Sequence, residues 1–145
     1  MITVDETVKT TLPPTEAFDY LKNFEHTSEW DPGTPVVEKT SAGPVAVGST
    51  FHAEAEFKGK RQPLEYEVTA LSANSITLRG ENGTVISIDT ITVTPSGPGS
   101  SVNYRAEFTL KGWKKIAEPF VKNTFQGLAE PAVDGMKRKL DSLAQ

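Results

Sequence analysis

The sequence contains no cysteine. Disulfide staples, thiolate metal sites and cysteine nucleophiles are therefore excluded. Histidine is scarce: His26 and His52 are the whole supply, too few for a histidine-based metal cluster. No run approaches the ~20 apolar residues of a membrane-spanning helix, so no integral membrane segment is expected. The net charge of −4 has the wrong sign for a nucleic-acid partner, whose phosphates need a positive field. No nucleophile–base pair, internal repeat or low-complexity tract stands out. The first eleven residues read as a strand rather than as a basic stretch leading an apolar one, and a cytoplasmic location is the expectation. Asn82-Gly83-Thr84 fits a glycosylation sequon, but an Asn-Gly hairpin turn accounts for it better.

What is present fits a single domain spanning 1–145. A chain of this length buries roughly 70% of its unfolded surface, enough for a core or for a core with a hole in it. Period-two alternation rules the first 110 residues. Ile2, Val4, Val8 and Leu12 share one parity, with Glu6 and Thr10 between them. Pro13-Pro14 ends that strand and opens a short amphipathic helix over Pro14 to Asn23, with Ala17, Phe18, Leu21 and Phe24 as its apolar stripe. His26 to Trp30 reads as a second short turn of helix, broken by Asp31-Pro32-Gly33. Strands follow at Val36–Thr40, Phe51–Lys58, Leu64–Thr69 and Ile76–Arg79. After Asn82-Gly83 the parity switches: Ile86 and Ile88 share one face, Ile91 and Val93 the other. That switch predicts a bulge near Asp89-Thr90. The last strand runs from Val102 to Leu110.

From Trp113 the period becomes helical. Ile116, Phe120, Leu128, Val133, Met136, Leu140 and Leu143 predict one long helix, bent or broken where Pro119 and Pro131 fall. The expected architecture is α+β: a seven-stranded antiparallel sheet curled around a long C-terminal helix, with two short helices between strands 1 and 2.

This order resembles the START-like, or Bet v 1-like, helix-grip superfamily (SRPBCC) in its polyketide cyclase/dehydrase branch. The similarity lies in Pro14-Thr15-Glu16-Ala17-Phe18-Asp19-Tyr20-Leu21, Trp30-Asp31-Pro32, and Gly43 to Phe51. It continues in Tyr104-Arg105-Ala106-Glu107 through Lys111-Gly112 and in Pro119-Phe120. The resemblance spans essentially the whole chain, but its motifs belong to the scaffold and identify no reaction. It implies a cavity between sheet and helix, in a superfamily of lipid carriers, receptors, cyclases and hydratases.

Parity supplies the expected lining. Ala53, Ala55 and Ala106 are small residues at central places on the inward face, with Gly80 near the rim. Phe51, Phe57, Tyr66, Tyr104 and Phe108 flank them. Val68 and Leu78 complete the sheet wall, Trp30 sits at the mouth, and Phe120 joins from the helix. Close packing of the helix onto the alanines is the competing reading. Glu6, Tyr66 and Tyr104 are the candidates for catalysis. Glu6 shares the inward parity, and the phenols need partners if buried. His26 and His52 are expected to be solvated, Asp89 to stabilise a turn, and Arg79 and Arg105 to face outward. Lys111, Lys114 and Lys115 around Trp113 fit either an anionic membrane surface or an ordinary solvated face.

The expected function is binding of a small hydrophobic molecule: a lipid, polyketide or aromatic metabolite. A cyclase, aromatase or dehydratase using the same cavity is the alternative, since positioning alone removes much of a barrier. A protein-interaction module is the third. No cofactor is expected, and no protein partner is indicated.

Overall fold

The computed structural model describes residues 1–145. In chain order it forms β1 (Ile2–Thr10), α1 (Pro14–Leu21), a 3-10 turn at Phe24–His26, α2 (Thr27–Trp30), β2 (Val36–Lys39) and β3 (Thr50–Phe57). Then come β4 (Lys60–Leu71), β5 (Ser75–Glu81), β6 (Val85–Ser96), β7 (Gly99–Leu110), a 3-10 turn at Gly112–Ala117, α3 (Glu118–Gln126) and α4 (Ala129–Leu143). The strands make one antiparallel sheet in the order β1-β7-β6-β5-β4-β3-β2. One face is wet and carries ion pairs, such as Arg105 with Asp5 and Arg79 with Glu81. The other face is covered by the helices. This is the expected helix-grip arrangement.

Alternation places the core. Phe51 and Ala53 of β3, Val68 of β4, Ile76 and Leu78 of β5, and Val102 and Ala106 of β7 all lie on the covered face and are almost fully buried. α1 buries Ala17, Phe18 and Leu21 against this sheet, as its stripe predicts. The N-terminal strand is tied to the C-terminal helix: the Thr10 hydroxyl donates to Asp141 Oδ1 (2.7 Å), and Lys137 Nζ donates to the Lys9 carbonyl (3.0 Å).

The long C-terminal helix is α4, and the segment before it is broken at a place other than the prolines. From Gly112 the chain forms a 3-10 turn, α3 and α4, with the break at Gly127-Leu128. Pro119 and Pro131 both fall in first turns, where a missing N–H deprives no carbonyl of a partner. The expected bulge at Asp89-Thr90 is absent too. β6 pairs without a shift with β7 through residues 85–96 and with β5 through residues 86–92, and the one irregularity in the ladders lies between Val68 and Ala70 of β4. The parity switch has a different cause. Odd positions of β6 face inward throughout, so Ser87 and Asp89 point into the core while Ile86 and Ile88 sit on the outer face. The β5–β6 hairpin forms at Asn82-Gly83 as expected, but Gly83 keeps a negative φ. The Asn82 side chain supplies the turn instead, accepting from the Thr84 and Val85 N–H groups at 2.8 and 3.0 Å.

Candidate functional site

Two rows of residues cross the middle of the sheet on its covered face. One runs Val4, Ala106, Asp89, Leu78, Val68; the next runs Ile2, Phe108, Ser87, Gly80, Tyr66, Phe51. Gly80 explains how Tyr66 is placed. A Cβ there would stand 2.5–2.8 Å from the Tyr66 ring, so the ring lies across β5 only because that strand has no side chain at this point. The ring thus reaches over β5 toward Ser87 and Asp89 of β6, and Phe24 tilts against it with ring centres 4.6 Å apart.

Above these rows the helices leave a cavity in two parts. The inner chamber, about 90 Å³, lies over Ala106 and Asp89 and is roofed by Trp30 and Ala132. The outer chamber, about 430 Å³, opens between the β3–β4 hairpin, the β5–β6 hairpin and the Trp113–Phe125 segment. Ala55, Leu64, Phe108, Phe125 and Leu128 border both. Phe125 stands between Phe57 and Phe108, with ring centres 5.1 and 5.0 Å away, and marks the neck. Trp30 meets Tyr104 edge to face at 5.8 Å. It is a core anchor that also forms inner-chamber wall, and it does not close the outer mouth.

The inner chamber is mostly apolar, with Asp31, Tyr66, Asp89 and Tyr104 as its titratable groups and no Lys, Arg or His. Asp89 accepts a hydrogen bond from the Ser87 hydroxyl at 2.7 Å. Burial is the main cause that pushes its pKa from 3.8 to about 6, and the nearby Asp31 carboxyl adds to the rise; Ser87 and Tyr66 oppose it. Asp31 is raised by burial as well. It is held by the Gly33 N–H and the Thr34 hydroxyl, each at 2.9 Å. Both phenols are pushed well above their usual range, first by burial and then by the two carboxyls. No three His, Asp or Glu side chains converge as a metal site would require.

The structure sorts the expected lining residues. Trp30, Ala55, Tyr66, Leu78, Tyr104, Ala106 and Phe108 border the inner chamber, and Phe57 borders the outer one. Phe51, Ala53 and Val68 are fully buried but belong to the solid core. Phe120 is 84% exposed and points away from the cavity, which corrects its expected role. The inward residues of the helical segment are Val121, Phe125, Leu128, Ala129 and Ala132. Counting back from Met136 in steps of three and four finds Ala132, Ala129, Phe125 and Val121. Ile116 and Phe120 are out of that phase. Glu6 shares the inward parity but is exposed on edge strand β1, away from both chambers. It is no candidate for a buried acid.

Asp89 was the residue sequence reasoning missed. Its signal was a carboxylate at an inward position of a strand, and that signal is what made the parity seem to slip. His26 stacks on Tyr20 (4.4 Å between ring centres) and bonds the Tyr20 carbonyl. His52 sits on the outer face between Glu65 and Glu54. Neither histidine reaches the cavity.

A curled sheet gripping helices over a two-chambered, mostly apolar cavity defines a helix-grip fold of the START type. The chain belongs to the family described as polyketide cyclase/dehydrase and lipid transport, whose model matches residues 1–141. Three solved structures show the same fold. A START superfamily protein from Mycobacterium smegmatis is 15% identical, with TM-score 0.83 over 99% of both chains. TTHA0849 from Thermus thermophilus is 15% identical, with TM-score 0.81 over 99% of both chains. The Zhui aromatase/cyclase from Streptomyces sp. R1128 is 11% identical, with TM-score 0.81 over 99% of this chain and 95% of that one. No curated protein sequence matches the chain.

Proposed function

We propose that this protein binds one small, mostly apolar molecule, with its body in the outer chamber and its polar end in the inner one. The observation that carries the reading is the cavity itself. The outer chamber of about 430 Å³ falls in the ~300–1,000 Å³ range of small-molecule sites, which pair apolar walls with a few convergent polar groups. Asp31, Asp89 and the two phenols are those groups. The inner chamber offers two carboxyls and no basic side chain, so it suits a ligand hydroxyl or amine that donates a hydrogen bond. A fatty-acid carboxylate placed there would meet two acids.

Ala55 borders both chambers, which makes it the place to plug the neck. An apolar fluorescent probe should bind the parent protein, and Ala55→Phe should weaken that binding at least tenfold without loss of fold. Native mass spectrometry of the purified protein would give the mass of any retained ligand. A parent protein that retains nothing and binds no apolar probe would overturn the reading.

One observation favours an enzyme in the same cavity. A buried carboxyl with a pKa near 6 is matched to proton transfer close to neutral pH. In a dehydrative ring closure it would take a proton from carbon and return one to the departing hydroxyl. The enzyme reading expects ligand recovered from Asp89→Asn to be heavier by one water than ligand recovered from the parent. Equal masses would leave binding alone.

A further inference from the structure

Trp113, Ile116 and Phe120 are 76%, 78% and 84% exposed. Isolated exposed hydrophobics are ordinary. These three are spaced by three and four residues through a 3-10 turn that runs into α3, so they fall along one side of a helical surface. Trp113 and Lys114 line the outer chamber, and Ile116 and Phe120 are the exposed chain neighbours of Ala117 and Val121, which line it too.

The charge around them is as uneven as the hydrophobicity. The three segments that frame the opening, 56–62, 82–85 and 111–122, hold seven of the chain's 15 basic side chains and two of its 19 acidic ones. One of those acids, Glu118, is engaged by the Met1 amine. Lys111 is held by Glu81, and Arg61 pairs with Glu54. Lys58, Lys60, Lys115 and Lys122 have no carboxylate partner within ion-pair distance, and all four are exposed. A cationic rim on a chain of net charge −4 is a local feature, not a reflection of composition.

We infer that this face is a peripheral docking surface for an anionic lipid bilayer: Trp113, Ile116 and Phe120 insert at the interface, and Lys58, Lys60, Lys115 and Lys122 meet the headgroups. Tryptophan suits the apolar-to-polar boundary because its ring is amphipathic. Basic side chains beside an apolar face supply attraction to anionic lipid. Docked in this way, the outer chamber opens onto the membrane, and an apolar ligand passes between bilayer and cavity without crossing bulk water.

Vesicle sedimentation tests this directly. The parent protein should pellet with vesicles of phosphatidylcholine mixed with phosphatidylglycerol, and much less with phosphatidylcholine alone. Raising the salt to roughly 1 M, where the Debye length is about 3 Å, should release it. Phe120→Ser with Ile116→Ser should weaken binding at least tenfold, and Lys115→Glu with Lys122→Glu should abolish it. All four side chains are exposed, so thermal stability should not change. Apolar-probe binding in the cavity should also survive in these variants, which separates this surface from the ligand site. Absence of sedimentation with anionic vesicles would overturn the inference, as would equal binding to neutral ones or variants that pellet like the parent. A concentration-dependent dimer abolished by Phe120→Ser would overturn it in favour of self-association.

Discussion

Asp89 combines the two properties that make a buried carboxyl consequential: it lies in an apolar wall, and no cation faces it. The groups around it are Ser87 on its own strand, Tyr66 from β4, Tyr104 from β7 and Asp31 from the loop after α2. Burial raises its folded pKa to about 6, from 3.8. Between about pH 4 and pH 6 the folded protein therefore holds a proton that the unfolded chain has released. Stability falls across that window as pH rises, and the deficit is complete above it. Two pKa units at 1.36 kcal/mol each put the deficit at about 3 kcal/mol at most. Asp89→Asn keeps an acceptor for the Ser87 hydroxyl and removes the charge. Urea unfolding should find this variant more stable than the parent by up to ~3 kcal/mol at pH 7–8, with the gain gone below about pH 4. A variant less stable than the parent at pH 8 would mean that the Asp89 carboxylate is better solvated than its surroundings suggest. Tyr66→Phe bears on the same group. The Tyr66 phenol lowers the Asp89 pKa, so the variant should titrate Asp89 at a higher pH than the parent, read from its carboxyl carbon by NMR.

At the scale of elements, α4 controls how tightly the grip closes. Gly135 is buried on α4, and a side chain there would run into the Trp30 carbonyl at the end of α2. The helix approaches that backbone only because Gly135 has no Cβ. Since the obstacle is backbone, Gly135→Ala must lift α4, and overpacking of this kind costs about 1–3 kcal/mol. Trp30 also forms inner-chamber wall, so thermal unfolding and apolar-probe binding should change together. Unchanged stability would show that α2 yields instead. The legibility of these elements in the sequence follows the same physics. β3, β5 and β7 carry apolar residues on the covered face and polar ones on the wet face, and their alternation is plain. The alternation of β6 is obscured because Ser87 and Asp89 occupy inward places while Ile86 and Ile88 face outward; a local rule fails where a buried polar site sits. The helical segment hides its phase for another reason. The break at Gly127-Leu128 separates two helices, and the spacing of the large residues Ile116 and Phe120 follows the exposed side of the first one. Phase counted from α4 selects the smaller Ala132 and Ala129 together with Phe125.

Taken as a whole, the molecule is unevenly anchored around its cavity. α4 buries Ala132, Gly135, Met136 and Leu140 and is tied to β1 through Asp141 and Lys137. α3 and the 3-10 turn before it bury no residue fully. They meet the body through the half-buried side chains Val121 and Phe125, which face the outer chamber. A segment with few buried apolar contacts opens at low free-energy cost, whereas core strands open only near the global limit. Amide hydrogen exchange should therefore be fastest across 112–126 among the helical segments, and slow in β6, β7 and the middle of α4. A ligand that fills the outer chamber gives Val121, Phe125 and Leu128 new apolar neighbours, so it should slow exchange in 112–126 more than elsewhere. It should also add ~2.7 kcal/mol of stability at a hundredfold excess over Kd, so the melting temperature should rise with ligand concentration. The paired measurement is exchange of the free protein and of the protein saturated with the apolar probe. Protection concentrated in 112–126 would show that this segment is the one that moves to admit ligand. Protection spread evenly over the sheet, with 112–126 unchanged, would show that ligand enters elsewhere and that α3 is a bystander.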